Sequence, residues 1–106
     1  MIELKALSGH TAGTKWSARR FPVHIGRSNK AEMRLEEPGV WDKHALIDLR
    51  PGDGFVLKAE PDALVSLNSQ PTRESLLKNG DIIQLGAARV QFWLTPMKQR
   101  GLAPLS

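Results

Sequence analysis

The feature that most constrains this chain is the repeated alternation of apolar and polar residues over short segments such as FPVHIG, HALIDLR, GFVLK and ARVQFWL. Alternation with a period of two indicates β-strands with one buried face. The residues on the predicted faces are Phe21, Val23 and Ile25, then Ala45, Ile47 and Leu49, then Phe55 and Leu57, and finally Val90, Phe92 and Leu94.

Turn-forming segments separate these stretches. LSGHTAG, EEPGVWD, RPGDG and KNGD are dense in Gly, Pro, Asn and Asp, which supply the backbone angles of tight turns. Only RESLLKNG suggests a helix, and Gly80 would end it after about one and a half turns, so a short turn before a strand is predicted there. Many short strands without crossover helices indicate an all-β fold, an antiparallel sandwich.

Length and composition set the domain prediction. A chain of 106 residues needs one hydrophobic core. Residues 1–96 are predicted to form it, and residues 97–106, which lose the alternation, to form a C-terminal tail or linker. No run approaches the roughly 18 apolar residues of a membrane span, so a soluble, cytoplasmic segment without membrane insertion is expected. The absence of cysteine excludes disulfides and is compatible with a reducing compartment.

Charge and residue pattern argue against several function classes. The net charge of +4 favours acidic partners, but the Lys and Arg residues are scattered, and no basic helix or aromatic set on a basic sheet face is visible, so no nucleic-acid partner is predicted. The three histidines form no i, i+4 pair, and no nucleophile with a paired base or phosphate-cradling glycine loop occurs. The sequence therefore predicts no enzyme, no cofactor and no metal site.

Three landmarks carry a family resemblance: IGRS at a strand end, WDKHA about fifteen residues later, and LKNGDIIQLG near the end. Their ordered set resembles the forkhead-associated (FHA) domain, over roughly residues 2 to 95. The resemblance implies a sandwich of about eleven strands that binds phosphothreonine peptides with loops at one end, as a protein-protein interaction module in signalling. The residues that it implies to be structural are Gly26, His44, Gly80, Asp81 and Gly86.

The loop VWDKHAL departs from the family pattern. Arg27, just past a strand end, is placed to offer a phosphate two parallel hydrogen bonds. Where the family has a phosphate-binding Ser, however, this chain has Trp41, and where the family has Arg, Lys or Asn, it has Asp42. The lost hydrogen bond is worth roughly 1.5 to 3 kcal/mol. A carboxylate near the phosphate costs on the order of 2 kcal/mol more, so phosphate affinity is expected to fall by about a hundredfold or more.

The second recognition loop departs as well. The family segment Asn-Gly-Thr-x-x-Asn corresponds to residues 63–68, in which only Asn68 remains. Trp41 has two open interpretations: it is an exposed anchor for a partner, or it plugs the gap left by the altered loop. The residues still suited to a phosphate are Arg27, Ser28, Lys30, Lys43 and Asn68.

These observations predict a non-catalytic FHA-like interaction module with a degenerate phosphothreonine-peptide site. The alternative is a working phosphothreonine reader that uses an atypical set of loop residues. The predicted partner is a protein or peptide, threonine-phosphorylated in the alternative, and self-association through the loops or a sheet face stays open. The predicted partner-binding residues are Arg27, Ser28, Trp41, Asp42, Lys43 and Asn68.

Overall fold

The computed structural model of the chain describes residues 1–94, which form eleven short β-strands in two sheets. Within these residues, no helix is long and apolar enough to cross a membrane. The strands are β1 (Ile2–Ala6), β2 (Lys15–Ala18), β3 (Val23–Gly26), β4 (Met33–Arg34), β5 (Ala45–Arg50), β6 (Gly54–Ala59), β7 (Val65–Leu67), β8 (Gln70–Pro71), β9 (Glu74–Leu76), β10 (Ile82–Leu85) and β11 (Ala88–Leu94).

The strands are divided six and five between the sheets. The first sheet has the order β2-β1-β11-β10-β7-β8, and the second has the order β4-β3-β5-β6-β9. Neighbouring strands run antiparallel, except that β3 and β4 run parallel with Ile25 opposite Met33. The predicted all-β, mainly antiparallel sandwich of about eleven strands is therefore confirmed.

The core lies between the two sheets and follows the alternation. On β11, Val90 and Phe92 are buried, whereas the intervening residues are exposed or half-buried. The ring of Phe92 lies 6.0 Å, centroid to centroid, from Phe55 of the other sheet, and Phe55 lies 4.9 Å from Phe21. Burying each such side chain contributes roughly 1.5 to 3 kcal/mol. The apolar core between the two sheets therefore decides which side of each strand faces inwards.

Two residues of the predicted faces are exposed. Leu49 of β5 is 47% exposed, and Leu94, the last residue of β11, is 44% exposed. Both lie on the side of their strand that the alternation assigns to the core, but each is the last or the next-to-last residue of that strand. Alternation identifies the side of a strand on which a residue lies, and not how far the opposite sheet extends.

The prediction for RESLLKNG is wrong in its first half. Glu74–Leu76 form strand β9, which pairs antiparallel with β6 through Leu76 opposite Val56 and Glu74 opposite Lys58. The carboxylate of Glu74 also lies 2.7 Å from the Arg50 guanidinium. The pairing partners come from distant parts of the chain, so the local sequence, with its two leucines before Lys78, gives no sign of them.

The antiparallel arrangement gathers the connections at two ends of the sandwich. Residues 7–14, 27–32, 35–44, 60–64 and 86–87 form one end, which we call the loop end. The opposite end carries the β5–β6 turn at residues 51–53 and the β7–β8 turn at residues 68–69. The predicted boundary at residue 96 and the predicted tail at 97–106 lie outside the described residues.

Candidate functional site

Gly26 ends β3 directly beneath the loop that carries Trp41 and Asp42. A Cβ on Gly26 would overlap the carbonyl oxygen of Asp42 and lie 2.7 Å from its carbonyl carbon. The Arg27 amide donates a hydrogen bond to the Trp41 oxygen (2.9 Å), and the Ser28 amide donates to the Asp42 oxygen (3.3 Å). Only glycine permits so close a backbone approach. The end of β3 thus fixes the backbone of the loop.

His44 joins two loops through both nitrogens of its buried ring. The Trp41 amide donates to Nδ1 (3.1 Å), and Nε2 donates to the carbonyl oxygen of Leu64 (2.8 Å). This pair of bonds requires the tautomer with its proton on Nε2. The Glu60 amide also donates to the His44 carbonyl oxygen (3.0 Å). Loops 41–44 and 60–64 are therefore held against each other by the His44 side chain and by one backbone hydrogen bond.

Two large apolar side chains project from these joined loops. Trp41 is 50% exposed and Leu64 is 82% exposed. The Trp41 ring lies 6.1 Å from the His44 ring, centroid to centroid, at an angle of 59°. The indole is thus held partly against the loop while half of its surface is open to solvent. The backbones of Trp41 and Leu64 both form hydrogen bonds with the His44 imidazole, so the two exposed side chains lie at the same end of the sandwich.

A pocket of about 280 Å³ opens at the loop end. It brings together three of the residues predicted to bind a partner, Ser28, Asp42 and Lys43. The remaining lining residues are His24, Ile25, Lys30, Ala31, Glu32, Ala45 and Glu60. The lining therefore combines apolar residues with two lysines and three acidic residues.

The carboxylates of the pocket differ in their surroundings. Glu32 accepts hydrogen bonds from the His24 backbone amide (2.7 Å) and shares one with the His24 ring (2.8 Å), and these bonds lower the pKa of Glu32. Asp42 and Glu60 form no salt bridge with any of residues 1–94. Their negative charge is therefore available to whatever enters the pocket.

Ser28 and Arg27 are both engaged locally. The Ser28 hydroxyl accepts a hydrogen bond from the Lys30 amide (3.1 Å), which closes a turn. The Arg27 guanidinium is exposed, does not line the pocket, and donates through Nη1 to the Glu37 carbonyl oxygen (3.1 Å). At least one arm of the expected phosphate fork is thus directed at the protein's own backbone.

The structure does not bring Asn68 to the other predicted binding residues. Asn68 and Ser69, both with positive φ, form the two-residue turn between β7 and β8, at the end of β7 away from Leu64. The Asn68 side-chain Nδ2 donates to Asp81 Oδ1 (3.0 Å), and its side-chain Oδ1 accepts from the Ile82 backbone amide (2.9 Å). This placement gives no support to a peptide-binding role for Asn68.

The remaining motif residues hold turns. The Asp81 carboxylate accepts one hydrogen bond from the Lys78 backbone amide (2.8 Å) and another from the Asn68 side chain. Gly80 lies in the same turn, against the ring of Trp93. Gly86 occupies the β10–β11 turn at the loop end, where a Cβ would lie 2.8 Å from the Cα of Gly39. The backbone of residues 38–39 thus rests on this turn, and the Ala87 amide donates to the Pro38 oxygen (2.8 Å).

Comparison with known proteins agrees with this geometry. The profile of the FHA domain family matches residues 23–86, which is more than half of the chain. The chain belongs to the FHA domain family. Comparison of its sequence with curated proteins found no significant match.

Solved structures of FHA domains superpose on most of this FHA domain. One, from a study of phosphothreonine-dependent FHA domain interactions, is 26% identical with a TM-score of 0.77, over 91% of this chain and 98% of that chain. The FHA domain of FhaA, in complex with the intracellular domain of another protein, is 26% identical with a TM-score of 0.75, over 87% and 99%. An FHA domain from Chlamydia trachomatis, 16% identical with a TM-score of 0.77 over 90% and 98%, shares the fold.

Two side chains of this FHA domain organise the loop end and were missed by the sequence reasoning. Glu37 connects the β1–β2 loop with the β4–β5 loop, and Arg73 binds backbone carbonyls of the 60–64 loop. Both act on groups more than nine positions away, and no local pattern marks such contacts. The glutamate before the Pro-Gly turn in EEPG is the nearest signal for Glu37.

Glu37 is buried, with 1% of its surface exposed. Its Oε2 accepts hydrogen bonds from the Thr11 hydroxyl (2.8 Å) and the Thr11 amide (3.0 Å). These bonds, the hydroxyl's above all, hold the pKa of Glu37 below its ordinary value of 4.5. The Glu37 carboxylate thereby ties the β4–β5 loop to the β1–β2 loop, four residues before Trp41.

The lowered pKa gives Glu37 a pH-dependent role in stability. Its contribution is complete above the unfolded-state pKa and is lost as the pH falls through the lower folded-state pKa. Between about pH 5 and pH 3, we expect the free energy of unfolding, measured with urea, to fall less for Glu37→Gln than for the wild type. Glu36→Gln, an exposed neighbour paired with Arg34, is the control. Identical pH profiles for wild type and Glu37→Gln would contradict this role.

Proposed function

We propose that this FHA domain is a non-catalytic protein-interaction module whose loop end recognises its partner chiefly by shape and apolar contact, with the phosphothreonine site degenerate. The domain is proposed to comprise residues 1–96 and to act in the cytoplasm as part of a signalling protein. The structural neighbours that support an interaction role are an FHA domain studied for phosphothreonine-dependent interactions and one complexed with another protein's intracellular domain.

The observation that carries the proposal is the fixed position of Trp41 and Asp42. Gly26 and His44 hold the backbone of these two residues, so the loop cannot easily turn a different side chain toward a ligand. A half-exposed indole, and a carboxylate that forms no salt bridge within residues 1–94, therefore stand at the sequence positions where the resemblance implies a hydroxyl donor and a cation. Exposed tryptophans are enriched among residues that dominate binding energy.

The charges of the pocket support the same conclusion. Five charged residues line the pocket: the acidic Glu32, Asp42 and Glu60, and the basic Lys30 and Lys43. A phosphate about 6 Å from one carboxylate is opposed by on the order of 2 kcal/mol at an effective dielectric constant near 20. The two lysines offset part of this repulsion, and the Arg27 fork is partly engaged with the Glu37 carbonyl. Net phosphate attraction is therefore weak.

The alternative function is a phosphothreonine reader with an atypical geometry. One observation favours it: Ser28, Lys30 and Lys43 line a single pocket, so three residues with donor groups surround one cavity without the missing serine of the family. In that case Arg27 leaves the Glu37 carbonyl and turns to the phosphate. This function predicts that phosphorylation controls binding, whereas the first function does not.

Fluorescence anisotropy with two degenerate peptide libraries separates the functions. Both libraries have a central threonine, which is phosphorylated in one of them. We expect the wild type to bind both with affinities within about threefold of each other, and Trp41→Ala to weaken both by tenfold or more, as loss of an interface anchor does. Trp93→Ala, which removes an exposed tryptophan remote from the loop end, is the control.

The opposite outcome is equally clear. If the phosphorylated library binds at least tenfold more tightly, and if Arg27→Ala and Lys43→Ala each remove that preference, then the alternative function is correct. Binding that Trp41→Ala leaves unchanged would contradict the assignment of the loop end as the recognition surface.

A further inference from the structure

The backbone of residues 60–63 forms a turn whose third residue has an unfavourable conformation. The Ala63 amide donates to the Glu60 carbonyl oxygen (3.0 Å), and Asp62, the third residue of the turn, has a φ of 66°. Pro61 suits the second position, but the third position with positive φ normally takes glycine or asparagine. Such a conformation persists only where the surroundings enforce it.

Arg73 supplies that enforcement. Its Nη1 donates to the Ala63 carbonyl oxygen (2.6 Å), and its Nη2 donates to the Glu60 carbonyl oxygen (2.7 Å). The rigid guanidinium fork thus spans both ends of the turn. Arg73 is itself anchored, because the Ala59 amide donates to its carbonyl oxygen (2.9 Å) and the preceding Thr72 amide donates to the Val65 oxygen (2.9 Å).

The turn held by Arg73 leads directly to Leu64, one of the two exposed apolar side chains of the loop end. Leu64 follows Ala63, its side chain is exposed, and its carbonyl oxygen accepts the Nε2 proton of His44. The other nitrogen of His44 accepts the Trp41 amide. A chain of hydrogen bonds therefore runs from Arg73 through residues 60–64 and His44 to Trp41.

From this chain we propose that Arg73 is a positioning residue for partner binding: it fixes the 60–64 turn so that Leu64 and Trp41 form one preorganised apolar surface. This inference rests on the proposed function for its binding consequence. Arg73 itself need not touch the partner. Without it, the turn relaxes, the Leu64 carbonyl leaves His44, and the two apolar side chains are no longer held in a fixed relation.

The test compares Arg73→Gln with Arg50→Gln. Arg50 is a matched control, because its guanidinium also makes a 2.7 Å contact, to the Glu74 carboxylate, but none of its side-chain bonds among residues 1–94 goes to the 60–64 loop. NMR spectra report the exchange rates of the His44 Nε2 proton and the Trp41 amide proton, and anisotropy reports affinity for the unphosphorylated peptide library. Thermal unfolding shows whether each variant remains folded.

We expect Arg73→Gln to raise both exchange rates at least tenfold and to weaken library binding about tenfold, with Arg50→Gln matching the wild type in exchange and affinity. Arg73→Lys, which keeps one donor group, is expected to fall between them. Unchanged exchange of the His44 proton in folded Arg73→Gln would overturn the proposal, as would faster exchange with unchanged affinity. If the wild type binds neither library, the proposed function fails, while the two exchange rates still decide whether Arg73 fixes the turn.

Discussion

Gly26→Ala is expected to lower the free energy of unfolding by about 3 kcal/mol, the upper end of the usual cost of overpacking. The new methyl carbon would overlap the Asp42 carbonyl oxygen, and its nearest neighbours are all backbone atoms of residues 41 and 42. Backbone cannot rotate aside as a side chain can, so the loop must lift from β3. For a domain of this size, the melting temperature should fall by roughly 12 to 24 °C.

The matched control is Gly13→Ala. A Cβ at Gly13 meets nothing within 4 Å, although its φ of 90° is unfavourable for alanine. This variant should therefore lose only about 1 kcal/mol, from the backbone conformation alone. Denaturant unfolding of both variants checks the pair. Equal losses would mean that the close approach of Asp42 to Gly26 does not restrain the loop.

The double variant Trp41→Ser/Asp42→Arg is expected to bind the phosphorylated peptide library about a hundredfold more tightly than the wild type does. It restores a hydroxyl donor, worth roughly 1.5 to 3 kcal/mol against a charged acceptor, and it exchanges a repulsive carboxylate for a cation. The backbone that carries both positions is already fixed by Gly26 and His44, so the new side chains should be presented without reorganisation.

Two controls accompany this gain, both measured by anisotropy with the phosphorylated and unphosphorylated libraries. Arg27→Ala, added to the double variant, should abolish the gain in affinity, because the Arg27 guanidinium is expected to bind the phosphate in that variant. Trp93→Ser in the wild type, which removes an exposed tryptophan elsewhere, should produce no gain. A double variant that binds phosphorylated peptides no better than the wild type would show that these two residues do not explain a loss of phosphate affinity.

The fold was readable from the sequence because alternation reports which side of a strand faces a core. Val90 and Phe92 are buried as the pattern requires. The same pattern could not show that Leu49 and Leu94 lie near strand ends, since that depends on how far the facing sheet extends. Nor could it reveal β9, whose pairing with β6 joins segments well separated along the chain.

The candidate site was readable only in part. The order of motifs along the chain correctly indicated that residues 27–28 and 41–44 meet, because two adjacent strand ends carry them. Asn68 follows the same order but lies beyond the far end of β7, where it bonds Asp81. The contacts of Arg73 are to backbone carbonyls, which carry no sequence signature, so three-dimensional structure was needed to find them.

NMR titration of the isotope-labelled wild type with each peptide library tests whether the loop end recognises its partner without dependence on phosphate. We expect both libraries to shift the Trp41 indole and Leu64 amide signals to the same extent. Saturable shifts of the Ser28 and Lys43 amides that appear only with the phosphorylated library would contradict it, because the pocket would then be reading the phosphate.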